Sequence, residues 1–457
     1  MICYIVGEIQ YMETSRFEKI CKAVEANRRL IFTAHDYIWE HAESGFKEWE
    51  TTAYLEKGFE SLGYELHRAG DIPGFYTDWD TGKPGPKILV IGEMDSLIIP
   101  QHPAARKDTS CVHACGHHAQ SAALLGLAAA LQTDGIKDGL CGSVRLMAVP
   151  AEELTELEYR ETLRAKGTIR YFGGKQEFLR RGYMDGVDMA FMVHTSYGDG
   201  SFEFPNRGDD GFLIKTIEFI GKATHAGISP HLGVNALLAQ QLAISAMNAL
   251  RETFIEEDYA RLQLGNINGD SLSCRLDVKI RAATIEKINR INAQVNRAVA
   301  GAAASIGAEV RISDRPGYMP LYNDRLLGDV FCAAANLLDP DHPVKMGDDW
   351  SAGCTDMGDI SELIPSIHPY CMGAGGRAHT AEYYIESVEK ACVMSAKSQM
   401  VMLQLLLENN AEKARFILDA KQPKFKSKED LFSVIDRMAV DRDLIDTNEN
   451  GSITLKI

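Results

Sequence analysis

Three apolar runs in this chain end in ionisable groups, and that pattern restricts the fold more than any other feature. They are "KILVIGEMDS" (87–96), "SVRLMAVPAEE" (143–153) and "VDMAFMVHTS" (187–196). Short, continuous apolar runs predict strands buried on both faces, as in a parallel sheet covered by helices. "AQSAALLGLAAALQ" (119–132), between the first two, predicts a helix of small residues. Strands alternating with helices indicate an α/β domain with a mostly parallel sheet. Ligands of such sheets bind beyond the carboxyl ends of the strands. The three runs are therefore expected to bring Asp95, Glu152, Glu153 and His194 to one edge of one sheet.

The rhythm changes from about residue 209. "GFLIKTIEFIGKATH", "SLSCRLDVKIRAAT" and "AEVRISDRPGY" predict strands, and "NALLAQQLAISAMNALRETF" and "EKINRINAQVNRAVAGAAASIG" predict helices. Two helices among about four strands suggest an inserted α+β, ferredoxin-like domain. The α/β pattern resumes with "ELIPSIHPY" as a strand, "GAGGRAHT" as a loop and a helix from Glu386 to Glu408. The expected organisation is a catalytic domain of 14–208 plus 319–410, an insert of 209–318, and a terminal extension of 411–457. The segment from Glu13 to Leu62 reads as helical.

A chain of 457 residues exceeds one ordinary core, in keeping with two domains. Its 45% apolar and 25% charged residues are those of a globular protein, and a net charge of −16 disfavours nucleic acid or an anionic membrane as partner. No apolar run is long enough to span a bilayer. The start, "MICYIVGEIQYMETSRFEK", lacks a basic n-region and a small-residue cleavage site, which predicts a mature cytoplasmic protein. Ten cysteines without framework spacing suit free thiols in a reducing compartment.

The chemistry concentrates in "CVHACGHHAQ" (111–120). On a loop before a helix, Cys115 and His117 can face one pocket as zinc-type ligands. For a lone C-x-H, a crowded helix-entry turn with buried Cys and His is the favoured reading. A Cys–His nucleophile pair is a poorer reading, because a spacing of two is awkward for a base to reach the thiol. Glu152 and Glu153 cannot share a face of a strand, but on the bend beyond it one can ligate while the other takes a proton. His194, His225 and His379 are each ambiguous alone. Cys115, His117, Glu153, His194 and His379 together form a coherent ligand inventory.

In order, "GEMDSL", "HACGHH", "PAEE", "HTS", "GKATHAGISP", "TDMGDIS" and "AHTAEYY" resemble the metal-dependent peptidases and amidohydrolases that include aminoacylase, indole-acetyl-amino-acid hydrolase and aminobenzoyl-glutamate hydrolase. The resemblance runs to about Asn410, and "TDMGDISELIPSIHPY" is nearest the aminobenzoyl-glutamate hydrolase and β-alanyl dipeptidase branch. It implies a zinc-peptidase-like catalytic domain with a lid that also mediates dimerisation. It makes Cys115, His117, Glu153, His194 and His379 ligands of two divalent cations, zinc first and manganese second, with a water between them. Glu152 becomes the general base, and Asp95 orients the first site. His225 reaches a substrate carbonyl across a homodimer. Asn268 is placed at a substrate contact, and Arg281 and Arg377 are candidates for gripping a substrate carboxylate. The implied activity is hydrolysis of the amide bond of a small N-acyl or N-aminoacyl amino acid. The alternatives are a dipeptidase or a silent binding homologue.

Two departures stand out. His118 follows the motif where the family carries Asp or Asn, and Glu93 replaces the His that dizinc members place two before the aspartate. At the C-terminus Asp446, Asn448, Asn450 and Gly451 match half of a calcium loop, but Ile457 stands where the closing Glu belongs. A turn between short strands is the expectation there.

Overall fold

In the computed structural model, residues 12–447 and 452–457 are described. The extreme N-terminus, and Asn448, Asn450 and Gly451 of the half calcium loop, lie outside them. The chain divides into two compact units. One takes the residues to Arg207 with Tyr322–Asp349 and Asp359–Lys424; the other takes Gly208–Leu321, Trp350–Gly358 and Phe425–Ile457.

The first unit opens with three helices, α1 (Thr14–Ala26), α2 (Arg28–Glu40) and α3 (Trp49–Ser61), so the predicted helical segment is broken twice. Its six-stranded sheet contains β1 (His67–Arg68), β2 (Phe75–Asp80), β3 (Lys87–Glu93), β4 (Ser143–Val149) and β5 (Met189–Phe191). The order is β1-β2-β4-β3-β5, closed by a late strand, Ser366–Ile367. β3 runs parallel to β4 and β5, and the late strand parallel to β5; only β2 runs against the rest, antiparallel to both β1 and β4. This is the mostly parallel α/β sheet that the apolar runs predict. Six of seven residues in β3 and in β4 are buried, because helices cover both faces.

Helix α4 (His117–Leu131) is buried along all its fifteen residues. Its alanines and glycine allow close packing against α2, α3 and β3, which a helix with one wet face could not exploit. The sheet and helices bury one continuous core that includes Ile31, Phe59, Phe75, Val90, Leu124, Leu146, Phe191 and Leu403. One expectation is revised. "VDMAFMVHTS" is not one strand: β5 stops at Phe191, and His194 opens β6 (His194–Ser196), which pairs in parallel with Tyr370–Met372 in a separate three-stranded sheet. The backbone N–H of His194 bonds to the carbonyl of Pro369, so a partner distant in sequence sets its position.

The second unit carries β7 (Gly211–Ile220), α5 (Ala236–Leu250), β8 (Arg261–Gly269), β9 (Ser273–Ala282), α6 (Ile285–Ser305) and β10 (Glu309–Pro316). Its antiparallel sheet has the order β8-β9-β7-β10, the ferredoxin-like arrangement, with α5 and α6 packed on each other and on β9. Side-chain caps start both helices: Asn235 accepts from the N–H of Leu237, and Thr284 from that of Lys287. The stretch from 411 is no separate extension. A strand at Val440–Asp443 adds to β10 as the outer strand of this sheet, covering backbone groups that an edge leaves unpaired. Beyond it, Ile445–Thr447 and Ile453–Leu455 pair as short antiparallel strands, and Asp446 meets Lys456 at 2.6 Å. These are the short strands expected there; the residues that join them lie outside the described ones.

Among the described residues every cysteine is a free thiol, and no helix is long and apolar enough to cross a membrane.

Candidate metal centre

The first unit assembles its donors from four segments. Cys115 and His117 flank Gly116, which stands at φ 103° as the N-cap of α4. A side chain there would place its Cβ 1.8 Å from Thr195 Oγ1, so only glycine permits this turn. Glu152 and Glu153 follow β4, His194 opens β6, and His379 lies on the loop after 374. The backbone of His379 is left-handed, φ 62°, and its N–H is tied to the carbonyl of Ala114 at 2.8 Å.

Each imidazole of the first pair is oriented by a partner on Nδ1. His117 Nδ1–H donates to the Asp95 carbonyl at 2.9 Å and to Oδ1 at 3.1 Å, and His194 Nδ1–H donates to the Thr195 carbonyl at 2.8 Å. When either ring is neutral, that leaves its lone pair on Nε2. Asp95 also accepts the backbone N–H of Glu153 at 2.7 Å on Oδ2. One buried carboxylate thus orients donors on two segments.

The free donor atoms converge. His194 Nε2 lies 3.4 Å from Cys115 Sγ, and His379 Nε2 lies 3.1 Å from Glu153 Oε1. His117 Nε2 lies 3.3 Å from Glu93 Oε2 and 4.0 Å from Glu152 Oε2. Three groups, each with donors within 4.8 Å of one another, result: Cys115, His117 and His194; Cys115, Glu153 and His379; Glu93, His117 and Glu152. Cys115 belongs to the first two. Donors sharing one tetrahedral zinc-type cation stand roughly 3.4 Å apart, given bond lengths of about 2.0–2.3 Å. His117 Nε2 and Glu153 Oε1 are buried with no hydrogen-bond partner despite these close neighbours. Donors at coordination spacing but without hydrogen-bond alignment are what a cation site needs, so the residues fit a pair of divalent cations.

The electrostatics agree. Burial pushes the Cys115 thiol up, but the imidazoles of His117 and His194 outweigh it and bring it down to about 6. Burial would lower His117; Cys115 and Glu93 instead raise it well above its ordinary value. His379 is raised to about 11 by the neighbouring Cys115 and Glu153. Glu153 is pushed up by burial, yet His379 holds it below the usual range. The site is an anionic cluster that collects protons where a cation would otherwise sit.

Beneath the Glu152–Glu153 loop lies a buried frame that no motif announces. Ala151 is left-handed, φ 60°. Its N–H donates to Glu48 Oε1 at 2.7 Å, and its carbonyl accepts from Arg160 at 3.2 Å and from the Gly174 N–H at 3.2 Å. Arg160, fully buried on the helix Leu157–Ala165, also donates to the carbonyls of Glu153, Thr155 and Phe172. A Cβ on Gly174 would fall 1.6 Å from the Pro150 carbonyl oxygen, closing the loop's other side. That helix has the pattern of an ordinary charged surface helix, so no sequence signal marks Arg160. His368, buried and 5.4 Å from the His194 ring, is likewise unmarked in the sequence. His118 packs with His35, His113 and Trp39, away from the donor groups.

The remaining candidates are placed as follows. Arg377 is exposed, two residues before His379. His225, Asn268 and Arg281 belong to the second unit. His225 is exposed and accepts from the Ile228 N–H at 3.0 Å; Asn268 is exposed on the edge strand β8. Arg281 commits one donor to the Ala352 carbonyl at 2.8 Å and lies over the Phe212 ring.

Residues 89–403 match the model of peptidase family M20/M25/M40. The chain belongs to that family. One of the proteins that make up the p-aminobenzoyl-glutamate hydrolase of Escherichia coli (strain K12) is 30% identical over 294 residues, 62% of this chain and 56% of that protein. The chain thus spans little more than half of that relative's length. The Xaa-Arg dipeptidase of Mus musculus is 25% identical over 406 residues, 82% of this chain and 84% of that protein. A crystal structure described as a dinuclear metal-binding peptidase of the M20 family, from Bacillus subtilis, superposes with a TM-score of 0.64 at 20% identity, covering 83% of this chain and 98% of that one. That likeness bears on the fold.

Proposed function

We propose that this protein hydrolyses the amide bond of small N-acyl or N-aminoacyl amino acids, with Glu152 as general base and Cys115, His117, Glu153, His194 and His379 as ligands of two divalent cations. The observation that carries the reading is that Cys115 Sγ is common to two three-residue donor groups, with Glu152 beside them but in neither. Zinc, or manganese as second choice, would supply Lewis acidity and a more acidic water when bound there. Glu152 takes the proton of the attacking water and returns it to the leaving nitrogen. Asp95 keeps the His117 tautomer and the Glu153 backbone in place. Arg377, on the loop of His379, is assigned to the substrate carboxylate, with Arg281 and Asn268 as further candidates.

The substrate class follows from the bacterial relative, named for an aroyl-glutamate. A dipeptidase is the second reading, favoured by the match to the mouse Xaa-Arg dipeptidase over most of both chains. The active form is assigned as a homodimer. Its support is the apolar face of α5, where Leu237, Leu238 and Leu242 are 40%, 52% and 43% exposed, together with β8 as an edge strand of the same unit's sheet among the described residues. His225, exposed on the same unit, is assigned to the substrate carbonyl in a partner copy.

The test is a panel of N-acyl amino acids and dipeptides, run before and after chelation and with zinc or manganese restored. Activity that disappears on chelation and returns with metal is expected, and Glu152→Gln should abolish it while keeping the metal content. An active Glu152→Gln protein, or metal-loaded protein that cleaves nothing in the panel, refutes the reading.

A further inference from the structure

The segment that carries His368 is tied to that of His194. Ala190, Met192 and His194 donate their backbone N–H groups to the carbonyls of Pro365, Ile367 and Pro369 at 3.0, 3.3 and 2.9 Å, and Tyr370 stands opposite His194. Side chains two apart along an extended chain share a face, so His368 and Tyr370 lie on the face of His194. The rings bear this out. His368 is 5.4 Å from His194 and 5.5 Å from Tyr370, and Tyr370 is 6.1 Å from His194. The backbone N–H of His368 donates to Asn323 Oδ1 at 2.9 Å, which fixes the residue by its main chain.

The imidazole itself is held by nothing polar. It is 6% exposed, and neither ring nitrogen has a hydrogen-bond partner. It is thus about as buried as Glu152 and Glu153, 8% each, the residues a substrate has to meet. The ionisable groups that act on it are His194, Glu93, Lys175 and His117. Glu93 is itself taken by Lys175 and Gln120, and the outer nitrogens of the two histidines by Asp95 and the Thr195 carbonyl. A leucine or phenylalanine would fill the same space without stranding polar atoms. In any protonation state the ring carries at least one N–H, placed beside the donor cluster and unspent on the protein.

In amide hydrolysis the carbonyl oxygen gains charge as water adds. Donors fixed in a site with little water stabilise that charge far better than solvent does. Glu152 is occupied with protons, and arginine with the substrate carboxylate. His225 would come from a partner copy.

We infer that His368 is a further catalytic residue, whose imidazole N–H donates to the substrate carbonyl oxygen as that oxygen gains negative charge. No bond to His368 forms or breaks, and the ring keeps its proton. The inference rests on the amide-hydrolase reading above.

The test compares zinc-loaded wild type with His368→Phe and His368→Leu, which remove both nitrogens, and with His368→Gln, which restores an N–H donor. The probe is the panel compound that wild type cleaves fastest. An imidazole that bonds nothing in the resting protein leaves the apolar variants no hydrogen bond to lose, so at least one should keep the wild-type Tm and zinc content. In that variant kcat should fall about 10²-fold with KM changed by less than about threefold. His368→Gln should recover at least about tenfold of the loss. A phosphinic analogue of the same compound, which carries the oxyanion, should bind the apolar variant more weakly by a similar factor. Full kcat in the apolar variant overturns the assignment. So does a loss of Tm or zinc in both apolar variants, which marks a packing role. Wild type that cleaves nothing in the panel fails the hydrolase reading and this inference with it; active wild type beside an equally active apolar variant fails only the role of His368.

Discussion

Replacing Arg160 with methionine tests whether a buried guanidinium sets the loop that carries Glu152 and Glu153. In the native loop Arg160 donates to the carbonyls of Ala151, Glu153, Thr155 and Phe172. Ala151 and Glu153 keep second donors in the N–H groups of Gly174 and Thr155, whereas Thr155 and Phe172 lose the guanidinium. One buried acceptor, on Phe172, and one half-buried, on Thr155, stripped of a donor at roughly 1–3 kcal/mol for a buried group, put the loss at about 2–4 kcal/mol. Methionine retains some contact with the Phe46 ring, over which the guanidinium lies at 5.3 Å, so the lower half of that range is expected. Urea unfolding should show a lower midpoint with an unchanged slope. Activity should separate the clamp from simple instability. In folded protein kcat should drop about 10²-fold with KM nearly constant, since a shift of about 1 Å in a catalytic group costs that much. Arg160→Lys keeps the charge but not the planar fork, and should fall between. A wild-type midpoint in Arg160→Met refutes the energetic account, and a lowered midpoint with full kcat refutes the link to Glu152.

Other outcomes follow from the second unit. Lys215 is fully buried against Asp314, whose other oxygen accepts from Asn292 at 2.8 Å. Lys215→Met should therefore cost about 3–5 kcal/mol, and Lys215→Met with Asp314→Leu far less, measured by urea unfolding. Burial raises Asp210 to about 7, although Trp350, Arg281 and Arg261 pull it down. A carboxyl raised in the folded state contributes stability that is complete below about pH 3.8 and is lost as pH climbs through 7. Asp210→Asn should flatten that decline in a Tm-against-pH series, and an unchanged slope would contradict the assignment. Leu238→Glu with Leu242→Glu should convert a dimer to a monomer in sedimentation, and a monomeric wild type would end the dimer proposal.

The proposed ligand positions that are legible in the sequence are those fixed by local chain geometry. Cys115, Gly116 and His117 make one turn, and Glu152 and Glu153 follow a strand, so three residues on either side suffice to place them. His194 is legible as a residue but not in its setting. Its strand is defined by pairing with Tyr370–Met372, and periodicity within one run carries no register for a partner some 176 residues away. Arg160, Lys175 and Glu48 are illegible for a related reason. "LEYRETLRA" presents two arginines with equal claims to solvent, and only tertiary packing buries Arg160 completely while leaving Arg164 partly open. The terminal strand Val440–Asp443 is half-buried at its first residue and exposed at the other three, with no apolar face to announce that it joins a sheet.

Buried charge does not by itself mark a site, as Lys215 and Asp314 show. That pair is closed: Lys215 and Asn292 account for both carboxylate oxygens of Asp314. The charges near Glu152 are arranged differently. Asp95 satisfies the outer nitrogen of His117, and Lys175 and Gln120 hold Glu93, yet His117 Nε2 and Glu153 Oε1 are buried with no aligned hydrogen bond and meet only other ionisable groups of the cluster. A structural network would have closed those valences. That this one is complete behind the donors and open in front of them supports the proposed cation site, and on that proposal added divalent metal is expected to raise the stability of the first unit.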